Sequence, residues 1–188
     1  LDPADPERIY AAGWEHISRT TDGGLTWQTD RWPFSSRRAL VVAPSAPLQV
    51  YVGGAPARHS TDGGESWVDM AEPAPGARIE GIVVDPGDAR HVWAGTGAGV
   101  FESRDAGASW QPAGLNGQPV VWLAAAGGQN QAPLRIYAGI KDNGVAILNP
   151  PAQDWQAASA GLPAENNILT LVADARDPGL LWASRDGG

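Results

Sequence analysis

An eight-residue pattern occurs three times in the chain, and no other sequence feature limits the possible folds as strongly. It spans residues 20–27, 60–67 and 103–110, so that successive copies begin 40 and 43 residues apart. Each copy has Ser or Thr first, Asp third, Gly fifth and Trp eighth. Three copies at nearly constant spacing indicate a repeat protein whose units are just over 40 residues long.

A second landmark marks the same repeat and extends it to five units. It is an aromatic residue that follows an aliphatic one, and its copies lie 41, 42, 44 and 45 residues apart. The five aromatic residues are Tyr10, Tyr51, Trp93, Tyr137 and Trp182. The repeat therefore covers nearly the whole chain.

Each unit is predicted to form four short strands separated by turns rich in Gly, Pro and Asp. In the third unit we expect strands at Arg78–Val84, His91–Gly95, Gly99–Arg104 and Ser109–Pro112. No stretch free of Gly and Pro carries a convincing helical period. Four strands in 40–45 residues are typical of one blade of a β-propeller. The alternative is a β-sandwich with coincidental repeats.

We therefore predict an all-β fold, a single partial propeller domain over residues 1–188. Its units are expected at about residues 1–36, 37–77, 78–118, 119–163 and 164–188, the first and last incomplete. The fourth unit keeps its final Trp155 but lacks the Asp-x-Gly turn. Residues 184–188 resemble the start of the pattern, yet the register aligns them with the hairpin at residues 95–99.

The repeated pattern describes a strand, a tight turn and the next strand. Its Asp can accept hydrogen bonds from backbone amides of the turn, and its Gly can adopt the left-handed conformation that such turns need. The Ser or Thr hydroxyl can bond locally, and the Trp ring is expected to be buried between neighbouring sheets. The residues to which we assign this structural role are Asp22, Gly24, Trp27, Ser60, Asp62, Gly64, Trp67, Ser103, Asp105, Gly107 and Trp110.

This pattern resembles the Asp-box, or BNR repeat, of sialidase-like propellers. Families that share it include sialidases, xyloglucan-degrading endoglucanases, sortilin-type receptor domains and the photosystem II assembly factor family. The motif is a structural turn in all of them, so the resemblance implies a fold and leaves the activity open. The regular units are most similar in style to the non-catalytic proteins of the photosystem II assembly factor type.

Composition excludes several functional classes. The chain has 13 Lys and Arg against 21 Asp and Glu, a net charge of −8, so it offers no basic surface for nucleic acid. It contains no cysteine, which excludes disulfides, thiolate metal sites and a cysteine nucleophile. No apolar run approaches the roughly 18 residues of a membrane span, and the first residues do not resemble a signal peptide.

The candidate binding residues lie in loops expected at the mouth of the propeller channel, on the face opposite the repeated turns. Polar and aromatic side chains there would form a rim suited to stacking on a sugar or holding a protein loop. Any solvated loop would carry similar residues, so this alternative stays open. The candidates are Trp14, Glu15, His16, Arg31, Trp32, Arg37, Arg38, Arg78, Glu80, Lys141 and Asp142.

No catalytic residue is predicted. The resemblance to sialidases would require a Tyr nucleophile, but the three tyrosines occupy the repeated aromatic position that Trp fills elsewhere, which indicates packing. A two-carboxylate glycosidase needs two acids that face each other across a cleft. Its candidates, which the sequence does not pair, are Glu15, Asp30, Glu80 and Asp142.

Metal and cofactor sites are not predicted either. His16, His59 and His91 occupy non-equivalent positions of the repeat and do not have the spacing of zinc ligands. The Gly-rich residues 95–99 are followed by a predicted strand where a dinucleotide site requires a helix.

The sequence thus favours a non-catalytic scaffold that binds a protein partner or a glycan at the propeller face. The alternative is a secreted glycoside hydrolase, sialidase- or xyloglucanase-like, whose catalytic residues lie partly outside this chain. A sortilin-like receptor domain is the third reading, disfavoured because that family adds a cysteine-rich module. By the family resemblance, we expect an extracytoplasmic location.

Overall fold

A computed structural model of the chain describes all residues except 1, 3, 14, 32–38, 47, 129–132, 163–167, 175–176, 178 and 186–188. The described residues form seventeen β-strands and no helix. The strands are β1 (Ile9–Ala12), β2 (His16–Thr20), β3 (Gln28–Arg31), β4 (Leu40–Val42), β5 (Val50–Val52), β6 (Arg58–Ser60), β7 (Val68–Asp69), β8 (Ile79–Asp85), β9 (Asp88–Thr96), β10 (Gly99–Ser103), β11 (Gln111–Pro112), β12 (Val120–Ala126), β13 (Arg135–Ile140), β14 (Gly144–Leu148), β15 (Gln156–Ala157), β16 (Ile168–Ala173) and β17 (Leu181–Arg185).

The strands pair as antiparallel meanders into five sheets that follow one another along the chain. Sheet 1 contains β1–β3, sheet 2 β4–β7, sheet 3 β8–β11, sheet 4 β12–β15 and sheet 5 β16–β17. Sheets 2, 3 and 4 have four strands each, as the four-strand reading of the repeat predicts. In the third unit the bounds agree closely with expectation, except that β9 starts three residues early, opposite β8 at the Asp85–Asp88 pair.

The first strands of successive sheets lie beside each other, which is the arrangement of propeller blades around an axis. Strand β8 contacts both β4 and β12, and β12 in turn contacts β16. Apolar side chains fill the spaces between sheets, so the core consists of one cluster per interface. One cluster joins sheets 2 and 3, a second joins sheets 3 and 4, and a third joins sheets 4 and 5.

The repeated aromatic position is a packing position in the interior units. Tyr51 is completely buried and donates a hydrogen bond from Oη to the carbonyl of Ala89 in the next sheet, at 2.6 Å. Tyr10 does the same to Gly63, at 3.1 Å. In the last unit Trp182 is 63 % exposed, since no described sheet covers that face. The tyrosines therefore connect one sheet to the next.

The three Asp-containing turns share one hydrogen-bond pattern. In the second unit Ser60 Oγ donates to Asp62 Oδ1 at 2.7 Å and accepts from the Gly64 amide, also at 2.7 Å. Asp62 Oδ1 also accepts from the Ser66 amide at 2.9 Å, and Oδ2 accepts from the Ser66 hydroxyl at 2.5 Å. The same contacts recur around Asp22 and Asp105. Each carboxylate therefore ties the two strands of its hairpin together.

The Trp residues that end the pattern are less buried than the sequence suggested. Trp27 is 44 % exposed, and Trp67 and Trp110 are half-buried. The indole of Trp110 nevertheless donates to the Ala71 carbonyl of the preceding sheet at 2.9 Å. The predicted packing between sheets is seen for Trp67 and Trp110, which pack against buried clusters, whereas Trp27 is the most exposed of the three.

Acidification is expected to destabilise the fold through these turns. Hydrogen bonds from Thr20 and Thr26 lower the pKa of Asp22 to about 2, and bonds from Ser109 and Ser103 lower that of Asp105 to about 2. Because the folded pKa lies below the ordinary value of 3.8, this contribution is complete above about pH 4 and is lost as the pH falls towards 2.

The measurement is urea denaturation at several pH values between 5 and 2, for the unaltered chain and for Asp105→Asn. The variant lacks one titrating carboxylate, so we expect its stability to fall less steeply over this range. Identical slopes for the two proteins would contradict the assigned role of Asp105.

Candidate functional site

The structure places the predicted rim residues in three separate groups. Trp14, Trp32, Arg37 and Arg38 lie outside the described residues. In sheet 1, His16 is the first residue of β2 and stands opposite Arg31 of β3. Arg31 Nη2 lies 3.5 Å from Glu15 Oε2, so Glu15, His16 and Arg31 come together at one end of this sheet.

The other described rim residues belong to sheets 3 and 4. Lys141 and Asp142 are exposed in the turn between β13 and β14, where Asp142 adopts a left-handed φ of 57°. Arg78 directly precedes β8 and Glu80 lies within β8, in agreement with the strand predicted at Arg78–Val84 and not with their assignment to a rim loop. Glu80 therefore lies in the first strand of sheet 3, and strand pairing fixes the position of its backbone.

A shallow groove surrounds Glu80. It has a volume of about 90 Å³ and runs across the first strands of sheets 2, 3 and 4. Most of its lining residues are apolar, Glu80 is the charged one among those described, and Trp122 also contributes to it. The residues that contribute to it are Ala39, Leu40, Val41, Glu80, Gly81, Ile82, Trp122 and Leu123. We call this feature the first-strand groove.

A β-bulge places Glu80 in this groove. The pairing of β8 with β9 shifts between Ile79 and Gly81, which leaves Glu80 as the extra residue. The same irregularity recurs in β12 around Val121 and in β16 around Leu169. Bulges redirect side chains at sheet rims. Among these three equivalent positions only the third unit supplies a charged residue, and sequence reasoning did not detect the bulge.

Trp122 is a groove residue that the sequence analysis missed. Its indole donates to the Leu171 carbonyl of sheet 5 at 2.7 Å, which fixes the ring between sheets 4 and 5. The available signal was its position, since Trp122 aligns with Gly81 of the third unit. The equivalent residues of the second, third and fifth units are the smaller Ala39, Gly81 and Thr170.

A second, larger cavity lies between sheets 3 and 4, on the side of the Asp-containing turns. It has a volume of about 170 Å³, and its polar lining consists mainly of His91, Glu102 and Arg104. Trp93, Pro150 and Pro151 form apolar walls. We call it the inter-sheet cavity. Neither Glu102 nor Arg104 was predicted from the sequence to be a binding residue, and His91 was considered only as a zinc ligand.

The polar groups of the inter-sheet cavity contact one another. His91 Nε2 is 2.6 Å from Glu102 Oε1, and His91 Nδ1 is 3.2 Å from Asp85 Oδ2. Arg104 Nη2 also lies 2.6 Å from Glu102 Oε1. The imidazole rests against Trp93, with ring centroids 3.9 Å apart.

The described residues contain no group of three or more His, Asp or Glu side chains placed to hold a metal ion. The glycosidase candidates also lie in different surroundings, since Glu15 pairs with Arg31 and Glu80 lies in the first-strand groove. Asp142 occupies an exposed turn of sheet 4. Within the described part of the chain, no helix is long and apolar enough to cross a membrane.

The chain is similar in sequence to a curated xyloglucanase from a Paenibacillus species. The two are 30 % identical over 178 residues, which covers 78 % of this chain and 14 % of the relative. The chain thus spans about one seventh of that enzyme. No family model matches the chain.

Solved structures with the same fold include both enzymes and binding proteins. The GH74 xyloglucanase from Xanthomonas campestris matches with a TM-score of 0.74 at 20 % identity, over 98 % of this chain and 34 % of that one. YCF48 bound to D1 peptide matches with a TM-score of 0.68 at 17 % identity, over 98 % of this chain and 60 % of that one. An extracellular domain from B. thetaiotaomicron matches with a TM-score of 0.70 at 15 % identity, over 98 % of this chain and 26 % of that one.

The chain folds as part of a β-propeller. The all-β sheets and these structural neighbours agree on this fold, and the predicted fold class is confirmed. At these identities the neighbours carry the fold alone, since propellers host unrelated functions.

Proposed function

We propose that this chain is a section of an Asp-box propeller that binds a protein segment and does not itself cleave bonds. The first-strand groove carries this proposal. It crosses the first strands of three successive sheets, so an extended peptide lying across them would place one side chain in the groove beside Glu80. Side-chain anchors in apolar pockets supply most of the affinity of such interfaces, and charge adds specificity.

The charge of the chain supports a neutral or basic partner segment. The net charge is −8, and among the described residues that line the groove Glu80 is the charged one. A basic side chain flanked by apolar residues would match both features. The similarity to YCF48, solved with a bound peptide, supports a peptide as the ligand.

A glycan-active function is the second candidate. The sequence similarity to a xyloglucanase favours it, together with the aromatic Trp122, which could stack on a sugar ring. In that case this chain would supply part of a xyloglucan-binding surface, and its catalytic carboxylates would lie partly outside it. An extracytoplasmic location fits either candidate and is supported by the similarity to an extracellular domain.

The proposal predicts a charge-dependent selection of peptides. A displayed peptide library is selected on the immobilised folded chain, and the enriched peptides are then titrated against Glu80→Lys. We expect enriched peptides to carry Lys or Arg beside apolar residues, and the variant to bind them at least about tenfold more weakly because attraction becomes repulsion.

Glu72→Lys is the matched control, because Glu72 is exposed and lies outside the groove. It makes the same change in net charge and should leave binding nearly unchanged. Equal weakening by both variants would show that net charge alone acts, and failure to enrich any peptide would contradict the proposal.

A further inference from the structure

We propose that the inter-sheet cavity is a second binding site, which takes one neutral sugar ring. It is formed by different residues from the first-strand groove, so the two proposals can fail independently. At the interfaces of sheets 1 and 2 and of sheets 2 and 3, protein atoms fill the space that corresponds to this cavity. At the interface of sheets 3 and 4 the space is open and is lined by polar and apolar side chains.

At the interface of sheets 1 and 2 the equivalent space is closed. The turn of sheet 2 reaches back to sheet 1, where the Gly63 carbonyl accepts hydrogen bonds from Tyr10 Oη and, at 3.2 Å, from Arg19 Nη1. The crevice beside these residues has essentially no volume for a water molecule. At the interface of sheets 2 and 3, Met70 fills the corresponding region so closely that a Cβ on Gly107 would lie 2.7 Å from its sulfur.

The interface of sheets 3 and 4 is different because the fourth unit lacks the Asp-containing turn. Its residues 148–155 align with residues 60–67 of the second unit, so that Pro150 and Pro151 stand where Asp62 and Gly63 stand. On the facing sheet, Trp93 replaces Tyr10 and Glu102 replaces Arg19. The cavity of about 170 Å³ lies at this position. The changed turn therefore opens a space that the regular turn closes.

The cavity is lined by groups that can bind a ligand. His91 and Arg104 both contact Oε1 of Glu102, and no contact among the described residues involves Oε2. Oε2 can therefore accept a further hydrogen bond. The Arg104 side chain is 73 % exposed and keeps donors available, because a guanidinium has five N–H groups. Glu102, with one carboxylate acceptor, and Arg104, with several donors, are both lining residues of the cavity.

The charges and walls of the cavity define the ligand class. Glu102 would repel an anion, Arg104 would repel a cation, and together they suit a neutral ligand that both donates and accepts hydrogen bonds. Pro150, Pro151 and Trp93 supply apolar surface for C–H groups. The volume is below the roughly 300–1,000 Å³ of sites for drug-sized molecules, which limits the ligand to about one ring. A pyranose combines all of these properties.

The test is an NMR titration of the full isotope-labelled chain with glucose, galactose and xylose, and with glucuronate and glucosamine as charged analogues. We expect at least one neutral sugar to shift two indole signals with a Kd of about 1 mM. They belong to Trp93, which lines the cavity, and to Trp155, whose indole donates to the carbonyl of the lining residue Ala113. The charged analogues should bind more weakly. A panel in which no neutral sugar shifts these signals, or in which a charged analogue binds best, would overturn the proposal.

Two variants locate the binding. Ala152→Phe adds a ring at an exposed position of the cavity wall and should abolish the shifts without loss of folding. Glu102→Gln should weaken binding about tenfold, since a charge-assisted hydrogen bond becomes a weaker neutral one. Glu7→Gln, the same change at an exposed site remote from the cavity, should have no effect. Shifts that persist unchanged in folded Ala152→Phe would place the sugar elsewhere and overturn the proposal.

Discussion

Tyr51→Ala is expected to lower the free energy of unfolding by about 3–5 kcal/mol, the usual cost of removing a large buried aromatic ring. Tyr51 is fully buried between sheets 2 and 3, and burial raises its pKa to about 12. Its ring stacks on His59 at a centroid distance of 5.8 Å, and its hydroxyl bonds to the Ala89 carbonyl. The substitution would remove the side chain that joins two successive sheets. Urea denaturation measures the change.

Two further substitutions separate the contributions of the ring and of its hydroxyl. Tyr51→Phe keeps the ring and should cost about 1–2 kcal/mol, because it removes the hydroxyl contacts with the Ala89 carbonyl and, at 3.2 Å, with Gln49 Oε1. Trp27→Ala removes a larger ring that is 44 % exposed, and should cost clearly less than Tyr51→Ala. Equal costs for Trp27→Ala and Tyr51→Ala would contradict the packing role assigned to the repeated aromatic position.

Gly81→Ala is expected to destabilise the chain by about 1–3 kcal/mol, although it adds a single methyl group. A Cβ at Gly81 would lie 2.8 Å from the backbone nitrogen of Leu123 and 3.2 Å from the carbonyl carbon of Trp122. Both atoms belong to the first strand of the next sheet, and backbone cannot move aside as a flexible side chain can. The sheets would have to separate at their innermost strands.

Gly97→Ala is the matched control for this substitution. No atom lies within 4 Å of its Cβ position, and its φ is outside the left-handed region. Alanine there restricts the unfolded chain and should stabilise by up to about 1 kcal/mol. The two substitutions are therefore expected to have opposite signs in thermal or urea denaturation. A destabilisation of the same size at both positions would show that the close approach of sheets 3 and 4 is not as described.

The sequence was sufficient to predict the regular features of the fold. Period, turn chemistry and strand alternation are repeated properties, so each copy reinforces the others, and the four strands of the third unit were predicted with bounds within three residues. Tyr51 and Trp93 could be assigned to packing because they occupy one repeat position. Such features are set by local sequence and by contacts that recur at every interface.

The candidate sites could not be predicted in the same way, because they depend on pairing between strands and on positions where the residue type changes from one unit to the next. The bulge at Glu80 depends on the pairing of β8 with β9, and the position of Trp122 depends on a neighbouring sheet. His91, Glu102 and Arg104 come together only when two strands pair and the fourth turn is replaced. The lost turn was visible in the sequence, but its consequence, an open cavity, required the structure.

The central claim, that this chain binds without cleaving, is tested most directly by product analysis of xyloglucan incubated with the folded chain. The account predicts that the polymer keeps its length and that no new reducing ends form beyond those of a heat-denatured sample. Shortened fragments whose formation is lost in Glu80→Gln would contradict it, and would place catalysis in the first-strand groove.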